Sequence, residues 1–140
     1  MSRYISENLR SEVELRADGK CEYCKIAIED TYFGGEVDHI ISFKHRGQTN
    51  SSNLALACQP CNRNKGSDLG SIPIASSELV RFYNPRTDIW HQHFQVNVNG
   101  EIISLTEVGE VTVFILGFSE PERVAERLGL IEIGHYRIDF

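Results

Sequence analysis

The sequence predicts a small α+β protein. A module over residues 1–70 is stapled by a site of four cysteines, and an extension over 71–140, a hairpin with helices, packs on it. Three observations carry this. Two Cys-x2-Cys pairs, Cys21/Cys24 and Cys58/Cys61, bracket residues 25–57. A short β-branched run, Glu36 to Ile41, lies between them. Asn99-Gly100 then divides two strand-like runs ahead of a Pro-led helix start.

The elements follow in order. Residues 4–17 read as a helix with Ser6 as N-cap and Leu9, Val13 and Leu15 as a partial apolar face, ended by Asp18-Gly19. Cys21 to Cys24 forms a tight knuckle. Residues 36–41 read as a strand, 42–52 as a polar loop with Gly47, and 53–57 as the lead into the second knuckle. Pro60 suits a first helical turn and Gly66 a C-cap, so 59–65 is a short helix. Residues 66–77 are small and polar and read as a linker. His93–Val98 and Glu101–Leu105 flank Asn99-Gly100 as a type I′ hairpin. Over 106–118 the spacing of Val108, Val111, Ile115 and Phe118 favours a helix over a strand. Ser119 to Glu122 reads as a capping box opening a helix that Gly129 stops after Leu128.

Composition narrows the class. With 140 residues, 41% hydrophobic and 24% charged, the chain is neither disordered throughout nor collagen-like nor a coiled coil. No apolar run reaches the roughly 18 residues of a membrane span. The charged first twenty residues lack the apolar stretch of a signal peptide, which predicts a cytoplasmic protein and a reducing environment. There the cysteines are metal ligands or buried thiols rather than disulfides. The net charge of −6 argues by itself against nucleic acid, but its distribution reverses the argument. Residues 71–140 hold 5 basic and 10 acidic residues. Between Asp38 and Asp68 there is no acid, while Lys44, Arg46, Arg63 and Lys65 are basic.

Two CxxC turns present four thiolates to one tetrahedral ion and leave no open position, which predicts a structural Zn²⁺ on Cys21, Cys24, Cys58 and Cys61. The rivals are four unrelated buried thiols and a redox CxxC, the latter without the βαβ unit it usually follows. Inside the spacer lie Asp38-His39 and, after the polar loop, Asn53; Asn62 follows the second knuckle directly. A carboxylate and an amide oxygen suit Mg²⁺ or Mn²⁺, and a neutral imidazole can take a proton from water near pH 7. Together with basic residues they suit hydrolysis of a phosphodiester.

Cys21-Glu-Tyr-Cys24, Val37-Asp38-His39-Ile40-Ile41, Gly47, Asn53 to Cys58, Cys61-Asn62 and Lys65-Gly66 resemble the zinc-containing HNH endonucleases. Tyr83 to Arg86, Trp90, His93-Phe94 and Gly100 through Val113 resemble the C-terminal extension of a bacterial subgroup. The resemblance implies a ββα-metal fold. It makes His39 the general base, Asp38 a metal-binding acid and Asn53 the residue that pins the loop and helps orient the base. Asn62 stands where many members have a metal-ligating His, an HNN pattern that shifts preference towards Mg²⁺ or Mn²⁺. The expected activity is metal-dependent hydrolysis of DNA, most readily double-stranded, with Lys44, Arg46, Arg63 and Lys65 on the backbone and a homodimer if both strands are cut together. The alternatives are a catalytically inactive zinc-containing nucleic-acid-binding module, and an interaction protein whose acidic half binds a partner.

Other residues carry smaller expectations. His45 reads as a solvated loop residue, with phosphate or metal contact as the alternative. Trp90 and Phe94 read as core rather than base-stacking groups. His91 and His93 are placed at the start of the hairpin, where one of them supports the site and the two alone do not make a second metal site. Arg86 is either a phosphate anchor or a brace for its turn.

Overall fold

The computed structural model describes residues 4–138. The chain divides into two compact units. The first runs to Asp68 and takes in Asn84–Arg86; the second is Leu69–Tyr83 with the residues from Thr87 onward.

In the first unit Ser6 caps helix α1 (Glu7–Arg16), its hydroxyl accepting a hydrogen bond from the Leu9 N–H at 3.2 Å. Val13 is fully buried and packs with Ile5, Val37, Leu54 and Leu56. Burying each such side chain contributes roughly 1.5–3 kcal/mol. Leu15, expected on this face, is 82% exposed. Two residues turn a helix about 200°, so Leu15 points away from Val13, and Ile5, just before the helix, completes the apolar face instead.

Strand β1 (Gly35–His39) pairs antiparallel with β2 (Leu54–Cys58), with Val37 opposite Leu56 and His39 opposite Leu54. The expected strand reached Ile41. It stops two residues earlier because the Ile41 N–H goes to the Asn53 side chain rather than to a strand partner. The run expected only to lead into the second knuckle is itself a strand, buried at all five positions. Helix α2 (Gln59–Lys65) follows at once, with Pro60 in its first turn and Gly66 at its end in a positive-φ conformation (+52°). Two strands and a helix in this order make the ββα frame.

In the second unit the expected linker contains a strand. β3 (Gly70–Ser71) pairs with β4 (Val80–Arg81), and a Cβ on Gly70 would lie 2.2 Å from the Val80 carbonyl oxygen. A one-turn helix α3 (Trp90–His93) precedes β5 (Phe94–Val96), which pairs with β6 (Ile102–Ser104). The hairpin is present, but its turn is not type I′, which needs positive φ at both central residues. Only Gly100 is left-handed (+85°), the Gly100 N–H donates to the Asn97 carbonyl at 3.1 Å, and the Asn97 side chain accepts from the Asn99 and Glu101 N–H groups. Asn97 organises a longer turn closed by Gly100.

Helix α4 (Glu107–Leu116) is capped by Thr106 and ends at left-handed Gly117. Its buried residues are Gly109, Val111, Thr112 and Leu116, a stripe rotated from the expected one. Gly109 faces inward because the His93 carbonyl would lie 2.3 Å from a Cβ there. Helix α5 (Pro121–Glu132) has Glu120 as N-cap with no side-chain cap, so the expected capping box does not form. The helix runs through Gly129 and is closed at Gly134 (φ +79°), where the His135 N–H returns to the Leu130 carbonyl. Arg123 and Arg127 are buried, donating to the carbonyls of Leu116 and Gly100 at 2.5 and 2.7 Å. Phe94 packs against Trp90, Tyr83 and Phe118 with ring centroids 4.9, 5.3 and 5.7 Å apart. Trp90 and Phe94 are therefore core residues.

Candidate functional site

The four cysteines converge. Cys21 and Cys24 flank a turn made possible by Lys25 at φ +72°; the Cys24 N–H donates to Cys21 Sγ at 3.4 Å. Cys58 ends β2 and Cys61 lies in the first turn of α2. All four are buried free thiols, and their sulfurs lie within 4.8 Å of one another. The Cys24 and Cys58 sulfurs are 3.7 Å apart. A tetrahedron with metal–sulfur bonds of about 2.3 Å has edges of about 3.8 Å, so the cluster can hold a zinc ion. As thiols, Cys58 is pushed up by its cysteine neighbours and Cys61 by burial.

Glu22, inside the first knuckle, has no role assigned to it by the sequence. It is buried, its N–H and carboxylate bonding the Leu56 carbonyl and N–H at 2.8 Å each, which ties the knuckle to β2. Its other oxygen pairs with Arg86. The Arg86 N–H bonds the Asn84 side chain at 2.8 Å, and burial, with Arg16 nearby, lowers the guanidinium to about 10. Arg86 is thus charged at neutral pH and acts as a brace. Removing one partner of a buried ion pair typically costs about 3–5 kcal/mol.

A cleft of about 600 Å³ opens on the ββα frame, lined by Asp38 and His39 from β1, Lys44 from the loop, and Asn62 and Arg63 from α2. Asp38 and His39 are neighbours at the end of β1, both still paired with β2, opposite Ala55 and Leu54, and both line this cleft. A carboxylate, an imidazole and an amide thus line one cleft together with two exposed cations. His39 Nε2 lies 2.8 Å from Thr49 Oγ1.

Asn53 does not line the cleft. Its Oδ1 accepts from the Ile41 N–H, and its Nδ2 donates to the carbonyls of Ile41 and Gln48, all at 2.9 Å. One amide therefore closes the loop at both ends. Gly47 belongs to this clamp: a Cβ there would lie 1.6 Å from the Ile41 carbonyl oxygen.

The basic residues separate. Lys44 and Arg63 line the cleft; Arg46, exposed at φ +69°, and His45 do not. Lys65, expected on the surface, is 4% exposed. Its ammonium is 3.4 Å from the His39 carbonyl oxygen, and burial lowers its pKa against the opposing pull of Asp38. It is buried between α2 and β1, because its position on the short α2 turns it towards the His39 carbonyl. His91 and His93 lie on α3 rather than a strand, and His93 Nδ1 is 2.6 Å from Thr106 Oγ1, the cap of α4.

Residues 21–68 match the family model described as HNH endonuclease. No curated protein and no solved structure matches the chain. The matched segment begins at Cys21 and includes the cysteine cluster, the ββα frame and every cleft residue named above.

Proposed function

We propose that this protein is a metal-dependent endonuclease that hydrolyses DNA phosphodiester bonds in the cleft of its HNH domain. The observation that carries this is that Asp38, His39 and Asn62 line one cleft with Lys44 and Arg63. Asp38 and Asn62 offer hard oxygen donors and would hold Mg²⁺ or Mn²⁺. When bound, such an ion would supply positive charge to offset that on the phosphate and on the departing oxygen. His39 takes a proton from the attacking water at a ring nitrogen. The new bond joins that water oxygen to phosphorus, the bond to the 3′ oxygen breaks, that oxygen takes a proton from solvent water, and the products carry 5′-phosphate and 3′-hydroxyl ends. Lys44 and Arg63 hold the backbone by charge. The zinc on the four cysteines is structural, and its thiolates fit a reducing, cytoplasmic setting. With one such site per chain, a homodimer would cut both strands together.

Incubation of supercoiled plasmid with Mg²⁺, Mn²⁺ or EDTA tests this. Nicking is expected with either ion and not with EDTA. His39→Ala should lose about 10²–10⁴ in rate with DNA affinity retained. Cutting by that variant at the wild-type rate would remove His39 as base. Tight DNA binding with no cutting under any ion would favour a non-catalytic binding module, the reading that Asn62 in place of His supports.

A further inference from the structure

We propose that Thr49 is a positioning residue for His39, and that Asn53 exerts its influence on the base through it. The inference rests on the nuclease reading above. His39 Nε2 is 2.8 Å from Thr49 Oγ1, so one ring nitrogen is already committed within the protein. His39 lines the cleft, and the nitrogen left to meet water is Nδ1. A neutral imidazole carries one proton, and the hydrogen bond at one nitrogen decides which nitrogen holds it. If Nε2–H donates to the Thr49 hydroxyl oxygen, Nδ1 keeps its lone pair and can accept a proton from water. If the hydroxyl donates to Nε2 instead, the proton sits on Nδ1 and the ring cannot act there as a base. The activity therefore requires the first arrangement.

Thr49 itself is held. It lies between Gln48, whose carbonyl accepts from Asn53 Nδ2 at 2.9 Å, and Asn50, whose carbonyl accepts from the Asn53 N–H at 3.0 Å. Asn53 thus grips the backbone on both sides of Thr49 without touching the imidazole. A hydroxyl on a clamped loop holds the ring plane and its tautomer together, as the second ring nitrogen's partner does in other histidine sites.

The test compares Thr49→Val, Thr49→Ser, Asn53→Ala and the double variant Thr49→Val/Asn53→Ala in full-length, zinc-loaded protein, with His39→Ala beside them. Plasmid cleavage is read as kcat and KM, and nitrogen NMR reads the His39 tautomer at a pH where the ring is neutral. Thr49→Val should lower kcat about ten- to hundred-fold with KM unchanged. Thr49→Ser, which keeps the hydroxyl, should restore it. The double variant should cut no more slowly than Asn53→Ala alone, and the wild-type ring should be the Nε2–H tautomer. Thr49→Val cutting at the wild-type rate while His39→Ala does not would overturn the proposal and leave the nuclease reading intact. An Nδ1–H tautomer in the wild type, or failure of Thr49→Ser to rescue, would overturn it too. No cleavage by the wild type would instead remove the reading it rests on, and the tautomer would still show whether Thr49 sets the ring.

Discussion

At the scale of single residues, the cleft depends on side chains that never enter it. Asn53 spends its amide on the backbone at Ile41 and Gln48, and Gly47 is small because the Ile41 carbonyl passes where a Cβ would be. Gly47→Ala should therefore act like loss of the clamp. The loop must move, since a Cβ would also lie 2.9 Å from Asn53 Nδ2. Cleavage is expected to fall at least tenfold, about the effect of displacing an orienting group, while zinc content and far-UV dichroism stay as in the wild type. Full activity in Gly47→Ala would show that the clamp does not set the base. The sequence marked Asn53 and Gly47 through their resemblance to a pattern. The resemblance gave Asn53 the role of pinning the loop, but not which carbonyls and N–H groups it holds, because an amide in a polar stretch looks the same whichever backbone group it meets. Lys65 was misplaced for a related reason. A lysine beside Arg63 on a short helix looks solvated until the fold turns one of the two inward.

At the scale of elements, Cys58 is the last residue of β2 and the N-cap of α2, so one thiol joins the strand to the helix that together frame the cleft. Structural zinc in small modules contributes about 10–16 kcal/mol of apparent binding energy. Typical domain stability is only about 5–15 kcal/mol. Metal analysis should find about one zinc per chain. Cys58→Ser, or a strong chelator, should leave β2 and α2 unprotected in hydrogen exchange. A zinc-free protein melting at the wild-type temperature would contradict this. The boundaries of α2 were readable from Pro60 and Gly66, which act on their own backbone. The end of β1 was not, because it depends on where the Asn53 amide reaches.

At the scale of the whole molecule, the net charge of −6 opposes DNA, yet the cleft carries Lys44 and Arg63. Binding should then rest on few phosphate contacts and respond to their number. Each lost contact lowers the slope of log K against log salt by about 0.9. Lys44→Ala/Arg63→Ala should reduce the slope by about 1.8, on the same basis. Arg46→Ala, outside the cleft lining, should change it little. Equal slopes for wild type and double variant, measured by fluorescence anisotropy on a short duplex, would place the DNA elsewhere.

By itself the sequence determined what short-range chemistry controls: the two knuckles, the cap of α1, the limits of α2, and a hairpin around residues 97–100. Each depends on bonds within a few residues, which residue type and spacing report directly. Only the tertiary structure decided which lysine is buried, which cations line the cleft, how Arg86 meets Glu22, and that Thr49 lies against His39. In these cases the partner is distant in sequence, or is brought close by a loop whose path a distant residue sets. A side chain's environment is then a property of packing, and no local pattern records it.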